Sequence, residues 1–281
     1  MRIDLHAHSS ASDGTDSPAG VMEAAAAAGL DVVALTDHDT MAGVPAAAPL
    51  ARELGLTLVP GAEISCQMHG IGVHMLGYLH DPDDEALLAE EEQTKVDRLT
   101  RAQRMVERLS VDFDISWDDV VRQCEPDAAV GRPHIADALV AAGAVKNRDE
   151  AFATVLHGRS PYYLPYHAPE AALIVRLVRE AGGVPVMAHP RAGKRGRLVS
   201  DADIAELAEV GLVGVEVNHR DHAESDRTHL RRLAAGLGLL TTGSSDYHGT
   251  GKVNRIGENT TDPAVFEKIV ALGTPERVVR P

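Results

Sequence analysis

The chain has 281 residues, 44% of them apolar and 3% aromatic, with a formal net charge of −15. That length supports one large α/β core with an insertion, or two domains, while the acidity and the few aromatic rings exclude a broad nucleic-acid surface, which needs a basic stripe and stacking platforms. No apolar run is long enough to span a bilayer, no charged leader precedes an apolar core, and Cys66 and Cys124 form no Cys-x-x-Cys pair. A cytoplasmic protein without a thiolate zinc site or a disulfide framework is therefore expected.

The chain opens on Asp4-Leu-His6-Ala-His8. In an extended strand alternate side chains share a face, so His6 and His8 point the same way roughly 7 Å apart, which suits a metal ion, while Ile3, Leu5 and Ala7 face a core. Ser17-Pro18 through Gly29 reads as a helix with serine at the cap, proline in the first turn and glycine past the end. Asp31 to Leu35 is the second strand, Gly43 to Leu54 a helix weakened by Pro45 and Pro49, and Leu56 to Val59 the third strand. The connection between Glu63-Ile-Ser and Val73-His74-Met is too short for a crossover helix, so that pair is expected as an antiparallel hairpin.

From Asp81 to His167 the alternation stops and helical segments take over. Asp83 to Leu109 reads as one long helix with Leu87, Leu88, Val96, Leu99, Met105, Val106 and Leu109 forming a buried stripe. Ser116 with Asp119, and Asn147 with Glu150, look like caps of further helices. Pro161, Pro165 and Pro169, with Tyr162, Tyr163 and Tyr166, make a rigid non-helical exit. Strand and helix then alternate again: helix 169–181, strand 184–188, helix 201–210, strand 213–217, helix 225–235, strand 239–242 and a closing helix 263–272. About seven strands result.

Candidate ligands recur at strand ends: His38 and Asp39 after the second strand, Glu63, His74, His189 after Val184-Pro-Val-Met-Ala, and Asp246 and His248 after Leu239 to Ser245. Taken in order, Asp4-Leu-His6-Ala-His8, Thr36-Asp-His38-Asp-Thr, Gly61-Ala-Glu63-Ile-Ser, His74, Ala188-His189-Pro and Ser245-Asp246-Tyr-His248 resemble the motifs of the polymerase and histidinol phosphatase family of metallophosphoesterases. The resemblance covers essentially the whole chain. It is strongest to a branch with a helical insertion after the fourth strand, whose members dephosphorylate nucleoside 3′,5′-bisphosphates or trim short RNAs from the 5′ end.

The resemblance implies a distorted (β/α)₇ barrel formed by residues 1–80 and 168–281, with 81–167 as an inserted helical subdomain. It implies three divalent metals, manganese first, with zinc, iron or magnesium as alternatives. His6, His8, Glu63 and Asp246 would hold one, Glu63 would bridge to a second held by His74 and His189, and Asp13, His38 and His248 would hold the third. Aspartate stands at position 13 where many relatives carry histidine, and it is an adequate hard donor. Asp4, Asp37 and Asp39 are expected to orient imidazoles, and Asp39, Arg191 and His219 to lie nearest the chemistry.

Hydrolysis would proceed by attack of a metal-bridging hydroxide on phosphorus, which requires no nucleophilic side chain. Arg132, His134, Arg159, Arg191 and His219 are the expected substrate-binding residues, since arginine grips phosphate through paired hydrogen bonds. Lys194, Arg195 and Arg197 read equally well as a solvated charge run. His69, His80, His157, His167, His222 and His229 read as surface or loop residues. The expected partner is a small phosphorylated nucleotide or a short RNA end. Three alternatives stand beside it: a histidinol-phosphate or other small phosphomonoesterase, a non-catalytic metal-binding module, and a carbon-nitrogen amidohydrolase. The last usually bridges its metals with a modified lysine, whereas no lysine here precedes Lys95.

Overall fold

The computed structural model describes residues 1–124, 130–165 and 168–281. Among these, seven strands form one sheet in chain order: β1 (Ile3–Asp4), β2 (Val32–Leu35), β3 (Thr57–Met68), β4 (Ile71–Tyr78), β5 (Val184–Met187), β6 (Gly214–Asn218) and β7 (Leu240–Gly243). Neighbours are parallel except β4, which runs antiparallel to both β3 and β5. The short turn at His69 and Gly70 leaves no room for a crossover, so β4 must return as a hairpin. Ala7 bridges Tyr247, and the His8 amide donates to the Tyr247 carbonyl at 2.8 Å, which nearly closes the sheet into a barrel.

Strand alternation sorts the core. Val59, Leu76, Tyr78, Val184 and Val186 fill the barrel with Ile3 and Leu5, and Phe266, Ile269 and Val270 of α10 (Pro263–Leu272) pack in the same cluster. The opposite faces bury Ile64, Cys66, Met75, Met187, Val215 and Val217 under α7 (Ala171–Glu180), α8 (Asp201–Val210) and α9 (Glu224–Leu237). Around β1 and β2 the cover is α1 (Pro18–Ala27), capped by Ser17 Oγ, and α2 (Val44–Glu53). Period-2 alternation thus places Glu63 and Glu216 inward, with Val59 and Gly214, toward the barrel axis.

Two strand expectations need correction. Leu56 to Val59 and Glu63 to Ser65 belong to one twelve-residue strand, β3, which pairs with β2 in its first part and β4 in its second. The first strand is only two residues long, so His6 and His8 stand beyond its end, at the barrel mouth.

Between β4 and α7 lie α3 (Glu85–Leu109), α4 (Trp117–Val121), α5 (Arg132–Ala141) and α6 (Arg148–Thr154), which share a separate apolar cluster around Met105, Leu109, Val120, Ile135 and Leu139. Tyr166 and His167 fall outside the described residues. The apolar stripe expected on α3 holds only in part: Leu88, Val96 and Leu99 are exposed, and Glu91, Thr94, Arg98 and Arg101 are buried in their place. Arg98 on this face meets Asp39 of the mouth, and Arg101 donates to the Leu164 carbonyl at 2.5 Å. No helix among the described residues is long and apolar enough to cross a membrane.

Glu91 is 4% exposed, and one of its carboxyl oxygens has no hydrogen bond. Burial, with the nearby Asp39 charge, pushes its carboxyl up from 4.5 to about 7. The folded state therefore holds a proton that the unfolded state releases. That contribution is complete below pH 4.5 and is lost as pH rises through 7. Relative to Glu91→Gln, the wild type should lose about 3 kcal/mol of stability across that window in urea unfolding; parallel curves for the two proteins would refute the assignment.

Candidate metal centre

Glu63, fully buried on β3, is the hub of the barrel mouth. Its Oε1 lies 2.8 Å from His74 Nδ1 and 2.7 Å from His189 Nε2. Its Oε2 lies 3.1 Å from His6 Nε2, 3.0 Å from His8 Nε2 and 3.4 Å from His38 Nδ1. Asp246 Oδ1 stands 3.5 Å from the Nε2 atoms of both His6 and His8, completing a four-residue group. A second group is His8, Asp13, His38 and His248, in which Asp13 Oδ1 is 3.2 Å from His248 Nε2 and 3.7 Å from His8 Nδ1. His38, Glu63 and His74 form a third.

These side chains fit a cation. His6 and His8 bring ring nitrogens within 3.0 Å of each other, a contact that neutral imidazoles tolerate only with a shared proton or an ion between them. His8 Nδ1, Asp13 Oδ1, His38 Nδ1, Glu63 Oε2 and His248 Nε2 are buried without a hydrogen bond. Burial alone would raise the Glu63 carboxyl, but His6, His74 and His38 more than offset it and hold Glu63 well below the usual range. His248 and His38 do the same for Asp13. Burial, reinforced by His8 and Lys252, pushes His248 down to about 4, so its imidazole stays neutral and able to donate a lone pair.

Three aspartates hold the loops that carry these groups, a different job from the imidazole-orienting one expected. Asp4 accepts from the Ser245 and Gly257 amides at 3.0 and 2.7 Å, fixing the loop of Asp246 and His248. Asp37 accepts from the Ser9 amide and from the Ser9 and Ser12 hydroxyls, each at 2.7 Å, fixing the loop that leads to Asp13. Asp39 is taken up by the Ser65 amide and hydroxyl and by Arg98, at 2.6, 3.0 and 2.5 Å, rather than being turned toward the ligand groups. Asp39, His189 and Asp246 all adopt positive φ, at 53°, 28° and 54°. Strain of this kind is concentrated where surrounding bonds over-determine the backbone.

The carboxylate that does orient an imidazole is Glu216, which the sequence reading did not select. Its Oε1 is 3.2 Å from His6 Nδ1 and bonded to Ser244 Oγ, and its Oε2 accepts from the His189 amide at 2.8 Å. Glu63, Glu216 and Asp246 overcome burial and hold His6 well above the usual imidazole range; with a cation in place of the Nε2 proton, the proton kept on Nδ1 by Glu216 would leave the Nε2 lone pair to it. The signal in the sequence was a glutamate at an inward position of an apolar strand. Lys252, four residues after His248, was also missed; its Nζ is 3.0 Å from Asp246 Oδ2.

The expected substrate-binding residues are dispersed. His219 is fully buried and reaches the mouth: Nδ1 accepts from the Asp221 amide, and Nε2 lies 3.5 Å from Asp246 Oδ2. His134 is buried at the start of α5 and accepts from the Gly131 amide, beside a cavity of about 440 Å³ lined by Ser10, Ser12, Cys124, Asp137 and Arg148. Arg132 donates to the Leu156 carbonyl and sits over Phe152 and Tyr163. Arg159 is exposed. Arg191 donates to the Val199 carbonyl and to Asp201, which ties it to the chain leading into α8. Two of the histidines read as surface or loop residues, His80 and His222, do lie in loops but are buried there. His80 donates to the Gly77 carbonyl, and His222 bonds the Val217 carbonyl and the Arg191 amide.

Comparison with known proteins agrees with this geometry. Residues 4–120 match the PHP domain family. A 3′,5′-nucleoside bisphosphate phosphatase of Chromobacterium violaceum is 31% identical over 280 residues, covering 99% of this chain and 98% of that protein. A 5′-3′ exoribonuclease of Haemophilus influenzae is 31% identical, with coverage of 88% and 90%. A phosphoribosyl 1,2-cyclic phosphate 1,2-diphosphodiesterase of Eggerthella lenta is 33% identical, with coverage of 92% and 98%. Among solved structures, a protein of Bifidobacterium adolescentis, provisionally described as a metal-dependent phosphoesterase, superposes with a TM-score of 0.95 at 43% identity, over 97% of this chain and 96% of that one. The chain belongs to the PHP family of metal-dependent phosphoesterases.

Glu216 supplies the acceptors for the His189 amide and Ser244 Oγ in a fully buried setting, so an isosteric apolar residue leaves both unsatisfied. Glu216→Leu should cost about 3 kcal/mol in urea unfolding, the scale of such orphaned groups, and a cost near zero would place its carboxylate outside the network.

Proposed function

We propose that this enzyme hydrolyses phosphate esters of small nucleotides, either the 3′-phosphate of nucleoside 3′,5′-bisphosphates or the 5′ ends of short phosphorylated RNAs. The observation that carries the hydrolytic part is the convergence of His6, His8, His38, His74 and His189 on the two oxygens of buried Glu63. On this reading three divalent ions, manganese foremost, are held by the ligand sets expected from the sequence. When bound, they supply a water of lowered pKa and neutralise charge developing on the phosphoryl oxygens.

The chain's own residues supply the rest. Glu216 keeps the proton of His6 on Nδ1, and neutral His248 and His38 face Asp13. His219, its Nδ1 occupied by the Asp221 amide, carries its proton on Nε2 at the mouth, placed to donate to a phosphoryl or leaving-group oxygen. The cavity between the Ser10–Thr15 loop and the insertion has room for a nucleoside beside the phosphate site, and His134 at its edge is our candidate for binding the remote part of the substrate. Arg132 and Arg159, which lie outside the lining of that cavity, are proposed for outlying contacts with a longer substrate. The bonds of Arg191 and Asp39 favour loop positioning over direct contact with phosphate. Similarity to the bisphosphate phosphatase and to the exoribonuclease along nearly their whole lengths supports the nucleotide class.

A cyclic phosphoribosyl ester is the second reading, favoured by the full-length relative at 33% identity. A steady-state panel on manganese-loaded protein separates these: adenosine 3′,5′-bisphosphate, a 5′-phosphorylated trinucleotide, a ribosyl 1,2-cyclic phosphate, histidinol phosphate and an aryl phosphate. The first two should give the highest kcat/KM, and a clear preference for any of the others overturns the assignment. His134→Ala should lower kcat/KM for the bisphosphate by about 2 kcal/mol and leave the aryl ester nearly unchanged. Elemental analysis should find two to three manganese ions per chain, and His8→Ala should lose metal and activity together; activity surviving exhaustive chelation would refute the metal reading.

A further inference from the structure

Two arginines of the helices between β4 and α7 bond the barrel mouth, one beside His38 and on β3, the other on the loop of Asp13. Arg98, on α3, donates to Asp39 Oδ2 at 2.5 Å and to Ser65 Oγ at 3.3 Å, and Asp39 directly follows His38. Arg148, on α6, grips both oxygens of Asp137 at 2.6 and 2.5 Å and donates its remaining nitrogen to the Asp13 carbonyl at 3.0 Å. The barrel makes room for it: a Cβ at Gly251 would overlap Arg148 Nη1, and the Gly251 amide donates to the His248 carbonyl at 3.2 Å. On the other arm, a Cβ at Gly131 would stand 2.9 Å from Arg98 Nη2.

Asp13, His38 and His248 are three of the four members of a single ligand group. His6 and His189, by contrast, are held from within the barrel through Glu216. We infer that Arg98 and Arg148 are positioning residues for one metal site. The insertion thereby braces the Asp13–His38–His248 side of the centre, whereas His6 and Asp246 on the other side are held by Glu216 and Asp4 of the barrel.

The physical reason is loop entropy. Three ligands on three separate segments converge only if each is held; Asp37 and Asp4 brace the Asp13 and His248 loops from the barrel, the two arginines brace the same side from the insertion, and a lost clamp loosens the group before any metal binds. Both guanidiniums face a carboxylate, Asp39 or Asp137, so their effect on the site is positional more than electrostatic. The inference rests on the metal reading proposed above, and the test separates the two.

The full chain, as wild type, Arg148→Ala, Gly251→Val and the control Arg122→Ala, would be titrated with manganese against a competing chelator. Circular dichroism melts would follow each protein. Gly251→Val displaces the Arg148 side chain from the barrel side without removing it, and Arg122 is an exposed arginine of the same insertion paired with Asp119. Wild type and Arg122→Ala should take up three equivalents. Arg148→Ala and Gly251→Val should each weaken one equivalent by about 10- to 100-fold, leave the other two unchanged, and still melt cooperatively. Unchanged affinity for all three equivalents in both variants, or equal weakening of all three, overturns the inference and leaves the metal reading standing. A wild type that binds one or two equivalents overturns this inference and leaves the metal reading standing, and one that binds fewer than one overturns both.

Discussion

A single buried carboxylate, Glu63, faces five imidazoles, and that arrangement is unfavourable unless positive charge lies among them. Hydrogen bonding alone does not satisfy it, because several of the inward nitrogens and oxygens have no partner. An unpaired polar atom in a dry interior costs a few kcal/mol, so a centre of this kind is held together by the rest of the fold at the expense of stability. The apolar barrel interior below and the helices outside supply what the mouth withdraws.

The same economy explains why the surrounding aspartates bond backbone. Asp4 and Asp37 accept from amides or hydroxyls of loops distant in sequence, and Asp39 from Ser65 on β3; each of these segments carries or leads to a candidate ligand. A carboxylate that gathers several donors fixes a loop more firmly than one bond to an imidazole could, since the donors are spread along the chain. The left-handed backbone at Asp39, His189 and Asp246 persists because bonds on either side over-determine it.

The helical insertion brings a largely polar seam to the barrel, with Leu87 its apolar contact in the barrel-side core. Glu91, Thr94, Arg98 and Arg101 occupy the buried face of α3 beside the mouth, while its own core forms further along, around Met105 and Leu109. A seam of ion pairs and hydrogen bonds resists sliding less by burial than by geometry, which suits a segment whose arginines must meet particular loops.

The sequence by itself determined the alternation of strand and helix, the hairpin, the helical insertion and the order of the ligand motifs. Each rests on local periodicity, connection length or short spacing, all of which are properties of neighbouring residues. His6, His8, Glu63 and Asp246 were legible because ligand types recur at strand ends, and the inward set of a barrel strand follows from period-2 alternation. Glu216 and Arg98 were not legible in this way. A glutamate in an apolar strand and an arginine in a charged helix carry no local mark of their partners, and each acquires its role from contacts 27 or more residues away. The fates of Arg132 and Arg191 were decided likewise, by which carbonyls, rings and carboxylates the folded chain set beside their guanidinium groups. Tertiary structure alone chose these partners, because a long charged side chain pairs with whatever the packing places within its reach.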